Sequence, residues 1–312
     1  MGAQPPSAPR PSRCRYPSAM PTRCGTVAIA GRPNAGKSSL MYAILGVDLA
    51  MVSPKAQATR LPVTGIHTAG DVQMIFQDLP GLLDPAYPLQ RAMRHLALEG
   101  LAAADVVLHL HPATEGEPPE LATLVPDAPP IRGTVLVVRT KADLLDATAR
   151  QRLADSGAVV TAVGDRGSID GLLSRIAPLL PEGPFRHDPE DIGTQPLRFF
   201  VGEYLREAAF GLLGDELPYA VTAEVDEFRE DRTPVYIRAT LFVERDSQKG
   251  IVIGKGGVML KRIGSHARER LEALLGQPVY LETWVKVLPR WRKSRGALAR
   301  FGFPLPDDVE VS

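Results

Sequence analysis

The sequence predicts an α/β domain, with a mostly parallel sheet and helices on both faces, followed by a smaller α+β domain. Three observations carry this. From Cys24 to about Leu180, short apolar runs alternate with helical stretches, the pattern of a sheet whose parallel strands are joined by crossover helices. A Gly-rich octapeptide, Gly31-Arg32-Pro33-Asn34-Ala35-Gly36-Lys37-Ser38, lies between one such run and a helix-like segment. After a stretch containing Pro and Asp (Pro181 to Pro196), the order changes to α-β-β-α-α-β.

Strands are predicted at Thr26–Ala30, Val63–Thr68, Val72–Gln77, Val106–Leu110, Thr134–Val138 and Ala158–Val163. Helices are predicted over Ser38–Leu45, closed by Gly46, over Leu89–Ala104 and over Ile169–Leu180. The second domain reads as an amphipathic helix from Phe199 to Leu213, strands at Ala220–Phe228 and Val235–Glu244, a helix-loop-helix around Gly250–Gly264, and a strand at Val279–Val287. The expected segments are 1–23, an N-terminal extension rich in Pro, Ser and Arg that cannot bury a core; 24–183, the α/β domain; 184–197, a linker; 198–290, the α+β domain; and 291–312, a basic tail. Translation begins at Met1 or at Met20, and the intact mass of the natively expressed protein decides between them.

Composition excludes several classes. Hydrophobic residues make up 44% and charged residues 23%, an ordinary globular balance. Two cysteines, Cys14 and Cys24, suggest neither a disulfide framework nor a metal site, and point to a reducing compartment. No apolar run reaches the roughly 18 residues a membrane span needs. A formal net charge of zero conceals a basic stretch from Lys255 to Arg300.

The octapeptide matches G-x-x-x-x-G-K-[ST], and its position after a strand and before a helix makes it a phosphate cradle. Helix N-terminal amides lack partners within the helix and the dipole favours anions there. Gly31 to Ser38, together with Ser39, would wrap a diphosphate, Lys37 would reach the terminal phosphates, and Ser38 would bind magnesium. A plain Gly-rich turn is the alternative. Asp78-Leu79-Pro80-Gly81 follows a predicted strand, so Asp78 can hold magnesium through water and the Gly81 N–H can meet a third phosphate; an ordinary Asp/Gly turn is again the alternative. The polar loop Ser53–Arg60 has the character of a switch, with Thr59 the best-placed magnesium ligand, or it is merely exposed.

Thr140-Lys141-Ala142-Asp143 ends another strand. A carboxylate at Asp143 accepts from guanine N1–H and the 2-amino group together, which adenine cannot match, and Lys141 would cover the purine plane. Asp143 could instead cap a helix beginning at Leu144. Thr161 and Ala162, at the next strand end, would present backbone to the base.

In the second domain, Gly254-Lys255-Gly256-Gly257 joins an apolar turn to a basic helix carrying Lys261, Arg262, His266, Arg268 and Arg270. Such a G-x-x-G loop clamps a nucleic-acid backbone, and the surrounding charge supplies phosphate affinity; another turn loop is the bland reading. Trp291 either stacks on a base or packs onto the domain.

With both halves in view, the chain resembles the Era-like bacterial GTPases, a P-loop GTPase domain fused to a type II KH domain. The likeness covers Cys24 to about Trp291 and is most specific at Gly31–Ser38, Val243–Gly250 and Ile253–Arg268. The resemblance implies binding of GTP or GDP with Mg2+ and GTP hydrolysis in which Lys37, Thr59 and Gly81 act at the phosphates. It implies RNA binding by Gly254, Lys255, Gly256, Gly257, Lys261, Arg262 and Arg268. It also implies that the KH domain takes the 3′ end of 16S ribosomal RNA, and that the protein assists 16S RNA processing and 30S subunit assembly. The expected protein is a cytoplasmic monomer with peripheral membrane association and no DNA partner.

Departures from the family pattern are Ala35 for Val, Ala58 for Thr, Leu79 for Thr, Thr140 for Asn, and Leu82 where many GTPases carry a water-orienting Gln. Loss of the Asn amide at 140 is expected to remove contacts to the base and to the phosphate loop and so to weaken guanine affinity, and Leu82 implies slow hydrolysis that a partner stimulates. A rival reading is an RNA-binding or chaperone protein with a decayed nucleotide site. A P-loop ATPase or kinase is disfavoured by Asp143.

Overall fold

The computed structural model describes residues 21–51, 57–214 and 216–306. Residues 1–20 of the expected extension, Ser53 to Ala56 of the expected switch loop, and the last six residues of the expected tail lie outside these, while Arg23, placed in the extension, begins the first strand. The first domain contains β1 (Arg23–Gly31), α1 (Lys37–Leu45), β2 (Val63–Ala69), β3 (Val72–Asp78), α2 (Pro88–Ala103), β4 (Val106–Pro112), α3 (Leu121–Leu124), β5 (Thr134–Thr140), α4 (Ala147–Asp155), β6 (Val159–Val160) and α5 (Arg166–Ile176). The strands form one sheet in the order β2-β3-β1-β4-β5-β6. All pairings are parallel except β2–β3. Only Gly70 and Asp71 separate β2 from β3, too few for a crossover, so that pair must be antiparallel.

Alternation along β1 fixes the two layers. Val27 and Ile29 face a core shared with Leu40 and Ile44 of α1 and Ile169 and Leu172 of α5. Ala28 and Ala30 face Ala97, Leu98 and Leu101 of α2. The α/β expectation is therefore met. One local expectation is not. The last strand is two residues long, because the Thr161 N–H and C=O go to Arg139 and to the Ala142 N–H, and Val163 turns out to solvent. In addition, α4 has no buried residue, so it carries no apolar stripe to read; its legible mark is Asp146, which accepts from the Ala149 N–H at 2.8 Å.

The expected linker runs along the outer edge of the sheet. The Ile66 N–H donates to the Ile192 carbonyl, Gly65 pairs with Gly193, and the buried Gln73 amide holds the Arg186 and His187 N–H groups.

The second domain comprises α6 (Leu197–Leu212), α7 (Leu217–Ala220), β7 (Thr222–Arg229), β8 (Val235–Val243), α8 (Asp246–Ile253), α9 (Val258–Leu275), β9 (Val279–Val287) and α10 (Arg295–Arg300). Its sheet has the order β7-β8-β9, with β8 and β9 parallel. Ile263, Ala267 and Leu271 form one stripe of α9 and pack with α6 residues, including Val201 and Leu205, on Ile237, Ala239 and Leu241 of β8.

The described part of the expected basic tail is folded. Trp291 is fully buried, its Nε1–H donating to the Ala220 carbonyl at 2.8 Å, and with Leu298 and Phe303 it packs on Leu89, Ala92 and Met93 of α2. Its reading as a base-stacking residue is therefore corrected. Arg292 pairs with Glu244, Arg300 pairs with Glu224, and Arg295 donates to the Leu305 and Pro306 carbonyls. These three arginines of the expected tail are thus spent on partners within the chain. Replacing Trp291 by Ala is expected to cost about 3–5 kcal/mol, visible as a lower midpoint in thermal unfolding.

Candidate nucleotide site and RNA-facing groove

The carboxyl ends of β1, β3, β5 and β6 converge, as parallel sheets require of their ligand edge. From β1 the chain enters Gly31–Gly36, and α1 begins at Lys37 with Gly36 (φ 90°) as its N-cap, no side-chain cap and no acid in its first turn. Its first amides are thus left for an anion. Lys37 is buried and its Nζ donates to the Arg32 carbonyl at 3.1 Å and to the Gly31 carbonyl at 3.4 Å. Burial lowers its pKa, with Asp78 opposing. The amine therefore lies against the loop that would hold the phosphates. Asn34 lies in the loop with φ 65°, and Ser39 lies in the first turn of α1.

Asp78 ends β3 with no solvent exposure. Its Oδ2 accepts from Ser38 Oγ at 2.6 Å and from Thr59 Oγ1 at 3.1 Å, and the two hydroxyls are 3.1 Å apart. Burial pushes its carboxyl above the usual range, while Lys37, Ser38 and Thr59 oppose. The other oxygen, Oδ1, is buried with no hydrogen-bond partner among the described residues. The Ser38 and Thr59 hydroxyls and a buried carboxylate with one orphaned oxygen are a hard oxygen set that fits magnesium, which Ser38, Thr59 and Asp78 would hold. Bound there, the ion would neutralise charge on the phosphate oxygens.

Gly81 approaches the phosphate loop so closely that a Cβ would lie 3.1 Å from the Pro33 nitrogen, and the Leu82 N–H donates to the Gly31 carbonyl at 3.0 Å. The Leu82 side chain is buried against α2, turned into the core. It offers no polar group to an attacking water.

Thr140 retains a tie to the phosphate loop, contrary to expectation. Its Oγ1–H donates to the Ala35 carbonyl at 2.7 Å, so the hydroxyl spans the distance an amide would have spanned. Lys141 takes φ 58° and turns the chain into a short 3-10 segment in which Asp143 is exposed. Asp143 caps no helix, since Asp146 caps α4, so the alternative reading of Asp143 falls away. Thr161 and Ala162 are buried beside this turn; the Thr161 carbonyl accepts from the Ala142 N–H, and the Ala162 N–H donates to Ser168 Oγ at 3.1 Å. Among the described residues, three of the four non-glycine positions with positive φ, Asn34, Gln57 and Lys141, sit in loops of this site, where strained backbone commonly serves function.

In the second domain, α8 ends at Gly254 (φ 74°), where a Cβ would lie 2.8 Å from that of Met259. Lys255 and Gly256 project into solvent and Gly257 opens α9. Beyond the loop a groove runs between α9 and β9, with Leu281 and Thr283 in its wall and Lys261 and Arg268 on its rim. Arg262 is exposed but does not line it. Phosphates at the loop and unpaired bases in the groove is the arrangement such geometry can take. Arg270 is turned elsewhere, to Asp48 and Glu207. Sequence reasoning also missed Arg60 and Arg206, which carry no local motif and acquire meaning only when the two domains meet.

Residues 26–139 match the family model described as 50S ribosome-binding GTPase, and residues 216–292 match that of the KH domain. The chain is 37% identical to GTPase Era of Lacticaseibacillus paracasei, covering 91% of this chain and 97% of the relative. It is 38% identical to GTPase Era of Geobacter metallireducens, over 91% and 98%. Among solved structures, a variant of Aquifex aeolicus Era bound to GDP and AlF4− superposes with a TM-score of 0.85 at 35% identity, covering 91% of this chain and all of the other. Era in complex with MgGDPNP and nucleotides 1506–1542 of 16S ribosomal RNA gives 0.84 at 35% identity, with the same coverage.

Proposed function

The chain belongs to the Era family of GTPases, and from that premise we propose that it is a GTP-driven switch that binds the 3′ end of 16S ribosomal RNA through its KH domain and assists 16S RNA processing and 30S subunit assembly. One observation carries the reading: a phosphate loop with converging Ser38, Thr59 and Asp78, and a basic-rimmed G-x-x-G groove, occur in a single chain. The relative captured with MgGDPNP and a 16S segment supports the RNA assignment and a magnesium-bound nucleotide, and the oxygen atoms of Ser38, Thr59 and Asp78 support their place beside the ion.

GTP is held by Gly31–Ser39, Asp78, Gly81, Thr140, Lys141, Asp143, Thr161 and Ala162. Its hydrolysis to GDP and phosphate relies on Lys37, Thr59 and Gly81 at the phosphates. RNA is held by Gly254–Gly257, Lys261, Arg262 and Arg268. The proposed protein is a cytoplasmic monomer, peripheral at the inner face of the cell membrane, with no DNA partner; location rests on the family resemblance. Among the described residues no helix is long and apolar enough to cross a membrane.

The buried Leu82 leaves positioning and charge to do the chemical work, so intrinsic hydrolysis is slow and needs a partner. GTP turnover by the full chain, measured with and without an RNA carrying the 16S 3′ end, is expected to be slow alone and faster with RNA. Rapid turnover unaffected by RNA would overturn that part of the reading.

A further inference from the structure

Thr59, the switch residue, is gripped on both sides by the KH domain. On one side Arg206 of α6, itself buried, donates from Nη2 to the Ala58 carbonyl at 2.6 Å while Nε binds Glu203 at 3.0 Å. On the other side the Arg60 guanidinium is buried in a cage of carbonyls around the C-terminus of α7: Val221 at 2.8 Å, Tyr219 at 3.1 Å and Pro218 at 3.2 Å. A third tie lies near the start of the same connection. Arg270 pairs with Asp48 at 2.8 Å, and the Tyr204 hydroxyl donates to the Asp48 carbonyl at 3.2 Å. The segment between α1 and β2 is thus held by KH residues near both of its ends. Between Ala58 and Arg60, the Thr59 hydroxyl lies 3.1 Å from both Ser38 Oγ and Asp78 Oδ2.

Burying a guanidinium is costly, and an apolar residue would fill the same space at less cost. Arg60 instead spends its donors on backbone carbonyls, whose last helical turn carries partial negative charge. Burial and the neighbouring Arg206 push the Arg60 guanidinium down to about 9, and it still carries its charge at neutral pH. Two guanidinium groups fixing the residues before and after one hydroxyl leave that hydroxyl little freedom.

We propose that Arg206 and Arg60 are positioning residues through which the KH domain seats Thr59 at the terminal-phosphate side of the nucleotide site, so that preference for the triphosphate depends on the docked KH domain. The inference rests on the nucleotide-switch reading and deepens it. Diphosphate binding needs the phosphate loop, Thr140 and Asp143, none of which touches either arginine; triphosphate binding needs Thr59 as well. By linkage, whatever moves the KH domain off this seat lowers triphosphate affinity, and triphosphate in turn holds the domain in place.

The test uses the full-length chain with magnesium and compares affinities for GDPNP and GDP in the unmodified protein, Arg206→Gln, Arg206→Lys and Arg60→Met. In Arg206→Gln and Arg60→Met, GDPNP affinity is expected to fall about tenfold while GDP affinity stays within about twofold; the loss of one charged hydrogen bond at the low end of its range is of that size. Arg206→Lys, which still donates to the Ala58 carbonyl, is expected to restore most of the loss. GDP affinity doubles as the folding control, and Arg60→Met keeps length and packing if Arg206→Gln unfolds. Equal loss of both nucleotides in folded variants, or no change in either, overturns the positioning role alone. Failure of the unmodified chain to bind GDP overturns the reading on which the inference rests.

Discussion

Replacing Asp143 by Asn is expected to lower GDP affinity about a thousandfold and to let the variant prefer xanthosine diphosphate. The carboxylate would accept two hydrogen bonds from guanine, each charge-assisted and worth about 1.5–3 kcal/mol. An amide in its place puts a donor against the guanine 2-amino group. Xanthine carries a carbonyl at that position and matches the new donor. The substitution is mild for the fold, since Asp143 is exposed in a 3-10 turn and α4 is capped by Asp146. Titration of both diphosphates against both proteins checks it. Unchanged GDP affinity in the variant would remove Asp143 from base recognition.

A second large effect is expected at the RNA groove. Lys255→Asp combined with Gly256→Asp should reduce affinity for an RNA bearing the 16S 3′ end by at least about a hundredfold at ~0.1 M salt, because one cation at the phosphates gives way to two anions. GDP affinity should stay within about twofold. Gly256 has φ 62° and open space, with no atom within 4 Å of where a Cβ would sit, a setting Asp accepts more readily than most residues. Loss of RNA binding would therefore report the loop and not a collapsed domain. Undiminished RNA affinity would move the RNA site off this loop.

The sequence carries the parts of the site that are contiguous. Gly31–Ser38, Asp78–Gly81 and Thr140–Asp143 each follow an apolar strand, and the parallel topology then brings those strand ends together. The order α-β-β-α-α-β and the Gly254–Gly257 loop are readable for the same reason, as local patterns of apolar period and glycine placement. What escapes reading depends on partners far along the chain. Trp291 looks exposed among basic neighbours, yet its indole meets Ala220 and its ring meets Phe301 edge-on at 5.5 Å. Arg270 reads as part of a basic helix, yet pairs with Asp48 and Glu207. Arg60 reads as the polar end of a loop, and its role emerges only beside the carbonyls of α7. Thr140 shows the converse limit: a family departure that reads as a loss keeps the contact through a shorter side chain.

These features converge on one claim, that a guanine-nucleotide site reports its state to an RNA clamp through residues 58–60. The most direct test is the affinity of the full chain for an RNA carrying the 16S 3′ end, measured with GDP and with GDPNP. Tighter binding with GDPNP is predicted, by a factor in the range of about 5 to 150 that coupling of roughly 1–3 kcal/mol gives. Equal affinity with the two nucleotides would contradict the account.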